Sequence, residues 1–458
     1  MDWSPTLDTA SGPVYEGIVE ALERDIASGR LHRGQRLPTH RALASALGVD
    51  LTTVTRAYNE ARRRGLTDAR VGQGTFVAES RVRPSGHAAA GIAIDLSMNL
   101  PPSPIEADIE GRIMRGLVAL QRDHGFSELL SYQQAGGSTV DRGIAADWLR
   151  RRVRNAEAGR LVISPGTQSA LMALLVSLTR AGDVVLTDRL TYPGFKSAAA
   201  SLGVRLVGVA SDAEGMDPAA LAEACRAHAP KAVYLLPTIH NPTTQTIGSQ
   251  RREELAAAIR RHDLILIEDD AYGSFEPKAQ PIATLIPERS YLAMTLSKCM
   301  APGLRVAYVQ APDRAAASVL ANALRTVSQM PVPLMVALVS RWMADGSADA
   351  IMSAITAEAA ARQKLAAKAL SGHIHLAHPK GHHVWLHLPC SWTRAEFAAH
   401  VQRQGLTVVT SDSFSVDGEP EHAIRIALGA ARNRSELVAA LDVLVVALKS
   451  PAYASRIV

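Results

Sequence analysis

Lysine is scarce in this chain: of 49 basic side chains only eight are lysine and forty-one are arginine. A lysine placed at a structured position therefore stands out against its background. Cysteine is scarcer still. Cys225, Cys299 and Cys390 show no paired spacing, which excludes a disulfide-stapled secreted scaffold and suits a reducing cytoplasm. No apolar run approaches the length of a membrane span, and the acidic, proline-containing start MDWSPTLDTA does not have the form of a signal peptide. Internal repeats, heptads and low-complexity blocks are also missing, and the alanine richness is diffuse. Net charge is only +5, so the chain as a whole is not a polycation. What is present is a chain of 458 residues, 47% hydrophobic and 20% charged. That length exceeds one ordinary core and predicts two or three globular domains.

The charge is unevenly distributed. From Arg30 to Arg70 there are nine arginines against three acids, while residues 1–29 are mildly acidic. Such local basicity could face nucleic acid or form a solvated helix face. Over 13–28, Val14, Ile18, Leu22 and Ile26 recur at a spacing of four behind Pro13, which predicts an amphipathic helix ended by Gly29. Thr39 opens a second short helix to Leu47, stopped by Gly48, and Leu51–Arg64 forms a third, stopped by Gly65. Leu66–Val77 reads as two short strands around Gly72-Gln73-Gly74. Three helices and a hairpin in this order predict a winged helix-turn-helix over residues 1–78. Residues 79–91 (ESRVRPSGHAAAG) read as a linker.

From Ile92 the pattern changes to apolar strands alternating with helices: Leu161–Ser164, Val184–Thr187, Val204–Val209, Ala232–Leu236, Leu264–Glu268, Tyr291–Leu296 and Val306–Gln310. This predicts an α/β domain over 92–458 with a largely parallel sheet. A long helical stretch, roughly Ala311–Leu370, precedes a smaller α+β part over about 371–458.

Ligands of open α/β sheets bind beyond the carboxyl ends of the strands, and the chemistry-bearing residues fall there. Lys298 follows the apolar run Tyr291–Leu296 and lies seven residues before Arg305. A lysine at a buried strand end loses solvation, its pKa falls, and its neutral amine is a nucleophile toward aldehydes. Arg305, past a Pro-Gly turn, could hold a phosphate on the same aldehyde. Together they describe a Schiff-base site for pyridoxal phosphate, against the plain reading of a surface lysine in a loop. Gly166-Thr167-Gln168 opens a helix whose amides and dipole suit a phosphate. Asp269, after Leu264–Glu268, could pair with a pyridinium nitrogen; alternatively Asp269 or Asp270 caps the next turn. Tyr272 and Asn241 could donate to a phenolate oxygen, and Tyr192 could stack on a ring.

In order, GTQ, TYPG, HNPT, DDAY, TLSK and PGLR resemble the fold-type I aminotransferases, particularly the branch near aminoadipate and aromatic aminotransferases, over roughly residues 92–446. The resemblance implies Lys298 as the Schiff-base lysine, Asp269 on the pyridine nitrogen, Asn241 and Tyr272 on O3′, and Tyr192 on the ring. It implies Gly166, Thr167, Gln168, Thr295 and Arg305 around the phosphate, and Arg425 on a substrate or effector α-carboxylate. Tyr132, before Gly136-Gly137, resembles the tyrosine that reaches the partner subunit's phosphate, which implies a homodimer. Two positions depart from the family pattern. Thr244 stands where glycine is usual, and Gly381-His382-His383 replaces a Gly-Gly pair, which predicts an altered mouth of the substrate site.

In the basic segment, Arg36, Thr39 and Arg41 lie at the start of the second helix, where phosphate and base-edge contacts are both feasible. Thr52, Thr53 and Arg56 occupy the exposed half of the third helix, with Leu51, Val54 and Tyr58 inward, and Arg70, Gln73 and Thr75 belong to the wing. Singly these are ordinary surface residues, and Arg62-Arg63-Arg64 reads as a solvated face. As a whole, GRLHRGQRLPTHRALASALGV, LTTVTRAYNEARRRGL and VGQGTFV closely resemble the GntR-type winged helix, with His40 where serine is common. A GntR winged helix followed by an aminotransferase-like domain resembles the MocR-type regulators. That resemblance implies a double-stranded operator DNA partner, pyridoxal 5′-phosphate as cofactor, and modulation by an amino acid or amine. An active aminotransferase with an appended DNA-binding domain is the alternative. A third reading takes His373, His375, His378, His382, His383 and His387 as metal ligands, but no carboxylate or cysteine completes a regular spacing, and no metal is expected.

Overall fold

The computed structural model describes residues 3–5, 13–27, 30–32, 34–63, 66–70, 74–77 and 94–450. The chain divides into two compact units, Met1–Gly91 and Ile92–Val458. The linker expected over 79–91, the helix stops at Gly29 and Gly65, Arg64 and Gln73 all lie outside the described residues, as does the side chain of Arg70.

The first unit holds helices Val14–Ala27, His40–Leu47 and Leu51–Arg63 and an antiparallel ribbon of Thr67–Arg70 with Gly74–Val77. Ile18, Leu22, Leu43, Val54, Tyr58 and Val77 form its core. The hydroxyl of Thr39 accepts from the Ala42 amide (3.2 Å) as N-cap of the second helix, and Gly48 closes that helix at φ +65°. The Tyr58 hydroxyl, inside the core, donates to the Pro38 carbonyl at 3.0 Å, which ties the third helix to the turn before the second. Leu51 corrects the sequence reading. It is 41% exposed, because a first-turn residue projects past the end of the core that Val54 and Tyr58 fill.

In the second unit seven strands make one sheet, in the order Leu161–Ser164, Ala307–Gln310, Ser290–Thr295, Ile265–Asp269, Ala232–Leu235, Val184–Asp188, Arg205–Val209. Ala307–Gln310 runs antiparallel to both neighbours and the remaining pairs are parallel. The central strands are buried on both faces, as helices on both sides of a parallel sheet require. A 23-residue helix, Ser347–Ala369, leads to an antiparallel sheet ordered His375–Ala377, His383–His387, Ala423–Ala427, Val409–Thr410. Ile94–Asp95, the first described strand of this unit, pairs parallel with Leu406–Thr407 of that smaller part. Among the described residues no helix is long and apolar enough to cross a membrane.

Candidate cofactor and effector site

One cavity of about 530 Å³ opens at the carboxyl ends of the central strands. Strand alternation decides what faces it. In Ile265–Asp269 and the residue that follows, Glu268 and Asp270 point to one side and Asp269 to the other. Glu268 accepts the amides of Ile282 (3.2 Å) and Ala283 (2.7 Å), and Asp270 is held bidentately by Arg152 (2.7 and 2.8 Å). Asp269 lines the cavity. Its Oδ2 accepts from the Tyr234 hydroxyl at 2.9 Å, and its Oδ1 is buried without a partner. Burial pushes this carboxyl up to about 6, against the Tyr234 hydrogen bond.

Lys298 enters the same cavity two residues beyond Leu296 and donates to the Asn99 carbonyl. Burial, assisted by the Arg425 charge, lowers its ammonium pKa to about 8, with Asp269 opposing. Arg425 lies in the smaller sheet, in register with Trp385 and Val409. Its Nη1 donates to Asn241 Oδ1 at 3.0 Å and its Nη2 to the Ser97 carbonyl, while its buried Nε has no partner. No carboxylate among the described residues pairs with this guanidinium, and burial pulls its pKa down to about 10. Tyr272 is buried, and its hydroxyl accepts from Asn99 Nδ2 at 2.8 Å. Desolvation raises its pKa.

The opposite wall is built for a different group. Gly166 precedes the helix Thr167–Leu178 at φ +89°, and a Cβ there would stand 2.3 Å from Arg305 Nη2, so the glycine admits the guanidinium. Arg305 donates to the Pro165 carbonyl at 3.0 Å. The buried Thr167 Oγ1 and Gln168 Oε1 have no partner. Gln168 Nε2 donates to the Gly194 carbonyl at 2.7 Å, and Thr295 Oγ1 accepts from the Ser297 amide at 3.1 Å. A helix amino end, one arginine, the free Thr167 hydroxyl and the second N–H of Gln168 Nε2 together can hold a dianion, whereas Gln168 Oε1, an acceptor, cannot contribute.

Thr167, Gln168, Tyr192, Asn241, Asp269, Tyr272, Thr295, Lys298, Arg305 and Arg425 thus line one cavity, with Gly166 behind Arg305. Tyr132 is 83% exposed and does not line the cavity of its own chain. His382 and His383 correct the expectation of an altered mouth. Both are buried, with His382 edge-on to Tyr272 and Phe275 and His383 against Asn99 and the His240 carbonyl, so they support Tyr272 from behind. Burial holds the His382 imidazole down to about 3 and His383 well below its ordinary value, so both are neutral rings here. Thr244 takes φ +63°, a left-handed conformation that a β-branched residue adopts under strain. Among the described residues no three His, Cys, Asp or Glu side chains group closely enough for a metal ion. Sequence reasoning missed Ser97, Asn99 and Tyr234, none of which carries a local motif.

In the first unit Arg41, Thr52 and Arg56 are exposed and Thr53 is half-buried. Arg56 lies over the Tyr15 ring, 4.0 Å from its centroid. Asp50 Oδ1 accepts from both the Thr52 amide and the Thr52 hydroxyl, so Asp50 caps the third helix and spends the hydroxyl's proton. The Arg36 guanidinium lies against Gly74 of the wing, whose φ is +115°.

Residues 97–444 match the family described as aminotransferase class I and II, and residues 14–77 match the bacterial regulatory proteins of the gntR family. The chain is 30% identical over 454 residues to the uncharacterized HTH-type transcriptional regulator YdeF of Bacillus subtilis, covering 97% of this chain and 96% of that one. The vitamin B6 salvage pathway transcriptional repressor PtsJ of Salmonella typhimurium is 27% identical over 431 residues, 91% of this chain and 94% of its own. The fold is shared with LysN, the α-aminoadipate aminotransferase of Thermus thermophilus, at TM-score 0.71, 23% identity and coverage of 78% and 92%. It is shared also with the kynurenine aminotransferase of Pyrococcus horikoshii, at TM-score 0.72, 21% identity and coverage of 81% and 96%. The chain therefore belongs to the MocR-type transcriptional regulators, in which a GntR DNA-binding domain is joined to a class I and II aminotransferase domain.

Proposed function

We propose that this regulator binds operator DNA in a manner set by pyridoxal 5′-phosphate held at Lys298, together with an amino-acid or amine effector. The observation that carries the reading is the orphaned Asp269 Oδ1. A buried carboxylate oxygen without a donor is costly, and a pyridinium N–H supplies the missing one. The rest of the cavity fits the same group. Lys298 offers an amine for the aldehyde, and Asn241 and Tyr272 stand near for the phenolate oxygen. Tyr192 offers a ring face, and Gly166, Thr167, Gln168, Thr295 and Arg305 suit the phosphate. The kinship with a repressor named for vitamin B6 salvage supports a vitamin B6-derived ligand. When bound, that group supplies an electrophilic carbonyl carbon for amines and an electron-withdrawing ring.

Arg425, without a counter-ion among the described residues, suits an effector carboxylate bidentately. Replacing it by glutamine keeps a polar side chain in the lining and removes the charge. The expected result is a loss of about 30- to 100-fold in affinity for carboxylate effectors, the usual cost of truncating a buried charge partner. Amines lacking a carboxylate should lose far less. Titration of the cofactor's absorbance with paired compounds such as alanine and ethylamine reads the difference.

The DNA reading is tested by fluorescence anisotropy with DNA from just upstream of the gene, with competitor, with and without pyridoxal phosphate. Competitor-resistant binding that changes with cofactor is expected. Arg41→Ala and Arg56→Ala should each weaken binding by about tenfold and, where they contact phosphate, reduce the salt slope by about one. Binding no tighter than to random DNA would overturn the reading. The second reading, an active aminotransferase, is favoured by the Lys298 ammonium at about 8, which can exchange protons near neutral pH. Turnover of an amino donor with a 2-oxo acid at ordinary enzyme rates would establish it.

A homodimer is the proposed assembly. Ile105, Met114, Val118, Leu130, Tyr132 and Val140 are 62–93% exposed, an apolar concentration that a second copy would cover. Tyr132 would then reach the neighbouring copy's phosphate group.

A further inference from the structure

We propose that Ser97–Leu100 is a strap that masks two of the cavity's three cationic groups, Lys298 and Arg425, and that ligands act on this regulator by displacing it. The inference rests on the cofactor and effector reading above and names the element through which they act.

Two of the strap's carbonyls, those of Ser97 and Asn99, and its one amide side chain meet the candidate ligand groups. The Ser97 carbonyl accepts from Arg425 Nη2, the Asn99 carbonyl accepts from Lys298 Nζ, and Asn99 Nδ2 donates to Tyr272 at 2.8 Å. A carbonyl satisfies one N–H of a cation without neutralising it. A carboxylate at Arg425 can take both Nη2 and the unpartnered Nε, making two hydrogen bonds and an ion pair where Ser97 makes one hydrogen bond to the same cation. A ligand carboxylate therefore outcompetes Ser97. Any group that engages Lys298 Nζ likewise takes the donor on which Asn99 depends.

The strap is held at both ends and loosely between them. Upstream, the Leu96 amide donates to Thr407 (2.9 Å) and its carbonyl accepts from Ala427 (3.0 Å). Downstream, Leu100 passes so close to Gly429 that a Cβ there would stand 2.0 Å from the Leu100 carbonyl oxygen. Inside, the Ser97 amide is satisfied by Asp95 (2.8 Å) and the Leu100 amide by Met98 (2.8 Å), while the Met98 side chain is 60% exposed. Removal of the two cation contacts and of Tyr272 leaves Asn99 with its longer 3.4 Å contact to His383 Nδ1. Among the described residues the strap is the first cavity-lining segment after the last wing strand, which ends at Val77. Two states of such an element, one favoured by ligand, are what an effector needs to bias.

The test uses full-length protein and pyridoxal phosphate as probe, with loading followed by absorbance and strap opening by hydrogen exchange at the Ser97 and Leu100 amides. Gly429→Ala pushes on the strap from outside the cavity, and Asn99→Ala frees it from Tyr272 should the glycine variant fail to fold. Loading should speed exchange by about tenfold, and the variants should load several-fold faster than wild type. Loading of the variants alone would equally support a strap that blocks the site. Loading of wild type with unchanged exchange would overturn the strap and spare the cofactor reading. Loading of none would overturn both.

Discussion

Replacing Lys298 by alanine should abolish covalent retention of pyridoxal phosphate. After borohydride reduction and denaturation the wild-type chain should keep the label on this one lysine, and the variant should keep none. The effect is all or nothing because seven other lysines serve the whole chain, and none of them lines the cavity. The pH dependence follows from the lowered ammonium. With a pKa of about 8, roughly one amine in a hundred is free at pH 6 and about half at pH 8. Capture should therefore rise about tenfold per pH unit up to 8 and level off above it. An ordinary lysine at 10.5 would keep rising for two further units.

The same shift has a stability consequence with a definite sign. Between pH 8 and 10.5 the unfolded chain holds the proton that the folded chain has released, so stability of the cofactor-free protein rises with pH through that window. Below it the penalty for a desolvated ammonium is fully present. Lys298→Met removes the penalty, and the cofactor-free variant should be more stable at pH 7 on the order of 2 kcal/mol, the shift being discounted for the residue's partial exposure. A lysine that destabilises the fold and is matched by an orphaned carboxylate oxygen at Asp269 is hard to explain as a surface residue.

Much of this arrangement was legible in the sequence. Periodicity located the buried strands, and in an open α/β sheet the residues just past their ends converge without further information. That is why Asp269 and Lys298 could be placed together from their positions past strand ends, whereas Thr295 entered only through the resemblance to the aminotransferases. Asn99 could not. It sits in SMNLPPSP, with no periodic context, and reaches Tyr272 across 173 positions. The His382-His383 pair looked like a change at the site's mouth because sequence gives position along a strand but not depth. Here the strand is covered on both faces, and the rings face Tyr272 and Asn99 from behind. Leu51 failed for a related reason. Helical spacing assigns a residue to a face, whereas its burial depends on whether the core reaches that far along the axis. Whether Asp269 faces a pyridinium nitrogen, or Asp269 or Asp270 merely caps the next turn, was open in the sequence. The structure supplies a third role for Asp270, which is to pair with Arg152.

That pair should carry a large stability effect. Arg152 Nε and Nη2 meet the two Asp270 oxygens at 2.8 and 2.7 Å, and Nη1 donates to the carbonyls of Glu276 and Ala279. Both side chains are almost completely buried, and Gly273 is packed so closely that a Cβ would stand 1.9 Å from Asp270 Oδ2. Arg152→Met leaves a carboxylate buried without its cation, which should cost about 3–5 kcal/mol in urea unfolding at pH 7. Asp270→Asn should cost a similar amount. The double variant Arg152→Met, Asp270→Leu removes both charges and should recover most of the loss, since well-packed apolar replacements of buried pairs are often neutral. The exposed Arg150–Asp147 pair supplies the control, and Asp147→Ala should change stability by less than about 1 kcal/mol. The pair also bears on the site. The Asp270 charge helps to raise the Asp269 carboxyl, so leaving it uncompensated by Arg152→Met pushes that carboxyl further up. A stably folded Arg152→Met protein with altered cofactor uptake only would assign Arg152 to the ligand site. Loss of stability rescued by the double variant assigns it to the frame that holds Asp269 in place.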